Sequence, residues 1–520
     1  MIDREVGTMA EAAAATHTKT TMEKVLDVVE RVGNKVPHPA VIFVILIGIV
    51  IVLSHILYLA GARVSYERIN PDTLKVEKIT TFARSLLTVD GIRFMYTGVV
   101  QNFMNFQAVG VIIVAMVGVG VAESSGLVSA LIRKLVIVSP PKALTYILVA
   151  IGIASSIAAD AGYLVLIPLA AAAFISVGRH PLAGLAAAFA AVASVFLVNI
   201  FIVPIDGILV GITNEAIHIV DPGKNISLTS NFWFSAASML VFTVVVGLIT
   251  DKIVEPRLGK YTGDYEVAPN VMSTEEYRGL KFALIALVGV IVFIGAITLP
   301  AGAPLRNPET GDIIGNSPFM NSLIVSISLL FFATGVAYGV GAGTLKNTTD
   351  VVNAMIKAVA SLAGLIFLLL VISQFLAYFN YTNMTTLAAL SLAGVLQQMN
   401  LDALWLLLGF VVVVFILDLI ITGAVPKWAL FAPVFVPLLM RLDVPPDAVL
   451  AAYRVGDSPM NSITPLNAYF AMIVTFCQRY VKDAGVGTVV ALMLPYVIII
   501  CGVWLVLLAA WQLLGLAWGF

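Results

Sequence analysis

The chain has 520 residues, of which 60% are hydrophobic and only 11% charged, and its mean hydropathy is +1.01. Soluble domains carry about 25% charged residues, so this composition excludes a soluble protein and identifies a polytopic membrane protein. A formal net charge of −1 provides no electrostatic footprint for nucleic acid. Cys477 and Cys501, both in apolar surroundings, imply neither a disulfide framework nor a cysteine metal site.

The apolar runs are about 20 residues long, which fits spanning helices rather than alternating barrel strands of about 10. Residues 1–36 are polar and mixed in charge and lack the apolar core and cleavage site of a signal peptide. The first span is therefore expected to direct insertion. Its preceding bases favour a cytoplasmic N-terminus. That span covers about residues 40–60. A charged connector follows, then a second apolar run over about residues 99–122 and an amphipathic helix over 127–138 suited to the interface.

Pro140 and Pro141 then break the chain. Two short apolar arms, residues 143–153 and 164–174, flank a small, polar cluster that contains Ser156 and Asp160. Arms this short predict a re-entrant hairpin. An apolar helix starting at Leu182 meets Asn199, Pro204 and Asp206, and a span over about 232–249 closes the first half (37–250). Residues 251–280 are a hydrophilic connector.

The second half (281–520) has spans at about 282–298, 321–340 and 358–379 and a short segment at 385–396. Residues 404–421 carry Asp418 as their one charge, followed by Lys427, Trp428 and an apolar arm over 429–440. This is the second expected hairpin. Residues 451–470 come next and hold Arg454, Asp457, Ser458, Asn461, Ser462, Thr464 and Asn467, with Pro459 and Pro465 among them. The last span covers about 489–514.

The halves resemble each other. Pro168 matches Pro437 in AGYLVLIPLAAAAF and WALFAPVFVPLLM, and VPIDG (203–207) parallels TPLNA (464–468). Weak internal symmetry with proline-broken helices marks repeat-built secondary transporters whose site lies between the repeats.

A carboxylate at the centre of a span costs about 3 kcal/mol on insertion scales. Asp206 therefore needs a partner, a coupling cation or a proton. Asp418 is similar, with pairing to Lys427 as its structural alternative. Asp160 marks either a coupling site or a hairpin tip exposed to water. Arg454 and Asp457, three apart on one helix face, are placed to pair with each other, or Arg454 is a ligand for an anionic group. Trp428 is either an interfacial anchor or a stacking face for an aromatic substrate. There is no GxxxxGK[ST] sequence, no HExxH and no GxSxG. These absences argue against ATP hydrolysis and intramembrane hydrolysis.

The sequence resembles the AbgT family of p-aminobenzoyl-glutamate transporters and antimetabolite exporters over nearly its whole length. The resemblance rests on GVAESSGLVSALIRKL (120–135), GRHPLAGLAAAFA (178–190), KIVEPRLGKY (252–261), AAYRVGDS (451–458), ITP (463–465) and KDAGVGTVVALMLPY (482–496). It implies an all-α homodimer in the bacterial inner membrane, with about nine transmembrane helices and two re-entrant hairpins per subunit. The internal repeat is expected to be inverted. Transport is expected to run on a sodium or proton gradient without another cofactor, moving p-aminobenzoyl-glutamate-like anions or exporting sulfonamides.

By motif, the family's functional residues fall on Asp206, Trp428, Pro446, Arg454, Asp457 and Pro465. Asn461, Asn467, Ser156 and Asn199 complete the expected substrate-binding set, and Asp418 and Asp160 join Asp206 as ion-coupling candidates. The sequence departs from the family pattern at Ser156, in the AVASVFLVN approach to Asn199, and in the run before Trp428, where Asp418 and TGAVP stand. The alternatives are a transporter of another small organic anion such as a dicarboxylate, a channel or receptor without coupling, and, third, a membrane enzyme.

Overall fold

The computed structural model describes residues 37–520 apart from 70–75, 158–161, 264–271, 315–316, 389–390, 392–401 and 419–422. Among the described residues, seven helical stretches are long and apolar enough to cross a membrane. The architecture is helical, with one two-stranded ribbon.

Helix α1 (Pro39–Leu59) starts where Pro39 needs no backbone donor and the His38 ring accepts from Ala40 N. The charged connector after it forms an antiparallel ribbon, β1 (Arg63–Ile69) with β2 (Val76–Phe82), which sequence reading did not anticipate. The second span begins earlier than expected. It consists of α2 (Val89–Met104) and α3 (Gln107–Ser124), separated at Asn105 and Phe106. The amphipathic α4 (Leu127–Ile137) follows a left-handed Gly126.

The first pair of short arms is α5 (Leu144–Ala154) and α6 (Ile167–Ser176), the latter preceded by a π turn over Gly162–Leu166. An interrupted helix comes next, α7 (Pro181–Phe189) and α8 (Pro204–Ile217), and then α9 (Phe232–Ile249). The second half opens with α10 (Thr274–Thr298), set by a Ser273/Glu276 capping box. It continues with α11 (Leu323–Ala342), the amphipathic α12 (Thr348–Ser361) and α13 (Ala363–Tyr381). The second pair of arms is α14 (Ala403–Asp418) and α15 (Ala424–Met440). A second interrupted helix, α16 (Pro446–Asp457) and α17 (Phe470–Gln478), precedes the final α18 (Val486–Leu513).

The main core gathers α5 to α9 from the first half with α13 to α18 from the second. To one side, α10 packs on α11 and α4, and α11 and α12 pack against α3, α11 most extensively. That contact is close because a Cβ on Gly118 would lie 2.0 Å from Ser328 O, and one on Gly335 would lie 2.7 Å from Ala122 Cα. Small residues that let backbones touch are how helices associate where lipid supplies no hydrophobic drive. Both interrupted helices sit in the main core; α7, α8 and α16 are almost wholly buried, while α17 buries one face.

Candidate functional site

Each interruption has a local cause. After Phe189 the first helix relaxes into a π turn (Ala190–Ser194) and then leaves helical geometry until Pro204. Proline forces its predecessor out of the α region, and Val203 is extended at φ −115°, ψ 160°. Pro204 then occupies the first helical turn of α8, where its missing N–H costs nothing. Asp206 caps the restart, its Oδ2 accepting from Val203 N at 2.8 Å. In the second repeat α16 ends at Asp457, Pro459–Ser462 form a 3₁₀ turn, and residues 463–469, with Pro465 among them, are not helical.

The two interruptions meet. Ser194 Oγ and Ser462 Oγ are 2.6 Å apart, and Leu197 N donates to Ser458 Oγ at 3.3 Å. Arg454 reaches across from the second repeat to the first. Its Nη1 donates to Asp206 Oδ1 at 2.6 Å and to Leu197 O at 2.8 Å, and its Nε donates to Asn231 Oδ1 at 3.1 Å. Nη2 makes no hydrogen bond to the described residues. Asn231 is itself fixed by donating to Asp447 O at 2.8 Å.

This pair lines a cavity of about 350 Å³, counting its open mouth, walled also by Ser156, Phe196, Asn199, Phe232 and Ser235. Asn199 ties the wall together. Its Nδ2 donates to Ser156 Oγ at 2.8 Å and reaches Ile153 O and Ala154 O, both at 3.3 Å. A buried guanidinium with an unused N–H₂ edge, beside amide and hydroxyl groups and aromatic rings, is suited to holding a carboxylate.

Asp457 does not pair with Arg454, although they are three residues apart. The helix turns the two side chains to different neighbours. Asp457 Oδ1 lies 2.7 Å from Lys427 Nζ, and Lys427 also pairs with Asp418. All three side chains are buried, at 1% exposure or less. The Tyr453 hydroxyl lies 2.7 Å from Asp457 Oδ1 and 2.5 Å from Ala424 O. Gly456 permits this closeness, since a Cβ there would lie 2.6 Å from Val414 Cβ on α14.

Trp428 is neither at an interface nor on the cavity wall. It is fully buried, stacks on Tyr453 at 4.5 Å between ring centroids, and donates through Nε1 to Thr213 Oγ1 at 2.9 Å and Leu209 O at 3.1 Å. It locks α15 to α8 behind the cavity.

Of the residues anticipated from sequence, Ser156, Asn199, Asp206 and Arg454 come together on the cavity. Asp418 and Asp457 meet at Lys427 instead. Pro446 starts α16. Asn461 and Asn467 brace the second interruption, through Asn461 Nδ2 to Asp457 O at 2.9 Å and Asn467 Nδ2 to Asn461 O at 2.8 Å, with Pro465 between them. Asp160 lies outside the described residues. Sequence reading missed Asn231, Phe232 and Ser235 at the start of α9. The polar–aromatic junction SNFWFS signalled a membrane edge, but nothing local aimed it at Arg454.

Comparison with known proteins agrees with this geometry. A family model described as "AbgT putative transporter family" matches residues 24–520. The p-aminobenzoyl-glutamate transport protein of Escherichia coli (strain K12) is 34% identical over 491 residues, covering 94% of this chain and 95% of that protein. Two solved structures superpose over nearly the full length. The Alcanivorax borkumensis YdaH transporter has a TM-score of 0.86 at 40% identity, with 93% of this chain and all of that chain covered. Neisseria gonorrhoeae MtrF, from a class of antimetabolite efflux pumps, has a TM-score of 0.88 at 38% identity, with 94% and 97% covered. The paired short arms, the two interrupted helices and the full-length match together place this chain in the AbgT transporter family.

Proposed function

We propose that this chain is an ion-gradient-driven secondary transporter of p-aminobenzoyl-glutamate-like aromatic anions. It works as a multi-pass homodimer in the bacterial inner membrane. The observation that carries the reading is the buried Arg454–Asp206 pair spanning the two interrupted helices at the cavity wall. The free Nη2 edge of Arg454 takes a substrate carboxylate. Phe196, Phe201 and Phe232 offer faces for the benzoyl ring. Arg454 and Asp206 neutralise each other, so an arriving carboxylate brings an uncompensated negative charge into a site with little water. A proton or cation must therefore travel with it.

Alternating access is reversible, so the imposed gradient sets the direction. The same site then serves import of the conjugate or export of a sulfonamide, which shares the aminobenzene ring. The test is saturable uptake of radiolabelled p-aminobenzoyl-glutamate into proteoliposomes, with proton and sodium gradients imposed separately. The wild type accumulates the anion under one gradient, and Arg454→Ala abolishes it. Non-saturating flux that ignores both gradients refutes coupled transport.

A further inference from the structure

The second buried charge cluster sits away from the cavity, among α14, α15 and α16, and its charges do not balance. Asp418 and Asp457 share the single ammonium of Lys427, each through Oδ1. Two carboxylates against one ammonium leave one negative charge. Among the described residues, Asp418 Oδ2 and Asp457 Oδ2 are buried with no hydrogen-bond partner.

The elements packed around the cluster supply no second cation. Helix α14 carries Asp418 alone, α15 carries Lys427 alone, and α18 has no charged residue. The 3₁₀ turn at Pro459–Ser462 has none either. On α16, Arg454 is committed to Asp206, Asp447 lies at the far end, and Tyr453 is a neutral hydroxyl pointing at Asp457. Helix α8 brings Asp206 and Glu215, both acids. Helix α13 brings Tyr378, whose hydroxyl donates to Met95 O, and Tyr381, whose ring stacks on Phe94. Tyr496 of α18 is bonded to Thr250.

A proton added to the pair would neutralise that charge and give one bare Oδ2 a hydrogen to donate. A metal cation would need several oxygen ligands, as hard cations do. Lys427 Nζ already occupies the place between the two acids where such a cation would bridge them.

We propose that the Asp418–Lys427–Asp457 triad is the proton site of the transport cycle, with Lys427 as a tethered cation between the two acids, so that the coupling ion is a proton and not sodium. This rests on the transporter reading above. The step is a simple transfer. A proton from water on one side binds a free Oδ2 of the pair, the cluster becomes neutral, and the proton leaves to water on the other side when the site opens there. Asp457 and Arg454 share α16, so the protonation state and the substrate arginine are mechanically linked.

The first test needs no substrate. Infrared difference spectra of the purified full-length protein report the carbonyl stretch of protonated carboxylic acids. The wild type shows such a band at neutral pH, unchanged by sodium. Asp418→Asn loses it, because Asp457 and Lys427 then balance. The double variant Asp418→Asn with Lys427→Met removes a buried pair together and so avoids an unpaired ammonium. It keeps a band, carried by Asp457. A wild type without the band, a band that survives in Asp418→Asn, a band absent from the double variant, or one abolished by sodium would each overturn the proposal.

In proteoliposomes, steady-state accumulation of p-aminobenzoyl-glutamate changes about tenfold per pH unit for one proton per substrate, and a sodium gradient alone drives none. Asp418→Asn loses the pH response relative to its own self-exchange. Sodium-driven accumulation overturns the proton assignment. Failure to move this substrate at all, with the infrared pattern intact, faults the substrate reading and leaves the proton site standing.

Discussion

Replacing Asp206 with Asn separates two roles that are merged in the Arg454–Asp206 pair. The contact is 2.6 Å between near-buried groups. At an effective dielectric constant of about 20, the gross attraction is about 6 kcal/mol. The net loss is smaller because desolvation opposed the attraction from the start. Breaking a buried pair by removing one partner costs about 3–5 kcal/mol. The asparagine amide oxygen still accepts from Nη1 or from Val203 N, which puts the expected loss near about 3 kcal/mol. The cost falls on the unliganded protein, whose guanidinium is then unpaired. An anionic ligand that supplies a new counter-charge recovers part of it. Asp206→Asn should therefore lower the melting temperature in detergent yet bind p-aminobenzoyl-glutamate at least about tenfold more tightly, equivalent to about 1.4 kcal/mol. Its gradient-driven transport should fall, since a tightly held anion leaves slowly. Calorimetric binding and thermal shift, with and without ligand, read both terms. An unchanged melting temperature, or weaker anion binding, would refute the idea that substrate and Asp206 compete for Arg454.

Other changes test neighbouring parts. Asn231→Ala removes the acceptor of Arg454 Nε, a hydrogen bond to a charged group worth about 1.5–3 kcal/mol. Anion affinity should drop about tenfold or more in the same binding assay. Lys427→Met alone leaves two buried acids without their ammonium and should destabilise by about 3–5 kcal/mol, whereas Asp418→Leu with Lys427→Met should recover most of that in thermal unfolding. Gly456→Ala drives a Cβ into Val414 and should cost about 1–3 kcal/mol by overpacking, read as a lower melting temperature. Outside the spans, burial holds His180 below its ordinary value of 6.5, against the opposing pull of Glu255. Its neutral Nδ1 accepts from Leu182 N at 3.2 Å. That stabilisation is complete above about pH 6.5 and is lost as pH falls through the depressed value, so His180→Asn should flatten the acid side of a melting-temperature profile.

The sequence made much of the architecture readable because lipid enforces it. Apolar runs of spanning length, short arms and prolines inside polar stretches have few solutions at membrane depth. The interruptions at Pro204 and after Asp457 were therefore visible. The pairing of charges was not. Arg454 and Asp457 sit at i and i+3, a spacing that favours contact on an isolated helix, but each found a better-placed opposite charge on another element. Residue spacing cannot show that Asp206, 248 positions away, stands opposite Arg454. Trp428 misled for a similar reason. Its amphipathic ring suits an interface, and only the packing of α15 on α8 reveals Thr213 and Leu209 as its partners. The ribbon at residues 63–82 was hidden because a charged connector carries little hydrophobic periodicity.

The partition of the bonds bears on which parts move. The Arg454 contacts to Asp206, Leu197 and Asn231, together with Ser194 to Ser462 and Leu197 to Ser458, all join the first half to the second. The Asp418–Lys427–Asp457 contacts lie wholly within the second half, inside residues 418–457. Any motion of one half against the other must break the first set and need not touch the second. The substrate arginine therefore sits on the hinge of exchange, where a carboxylate can replace a protein partner as contacts open. The triad instead moves as a unit with α14, α15 and α16 and changes only the side from which water reaches it. Charge on the triad then biases which arrangement of the halves is stable, and substrate on Arg454 decides whether the contacts between them can part. Both act on α16, three residues apart, which gives a single rigid element through which proton and anion binding are coupled.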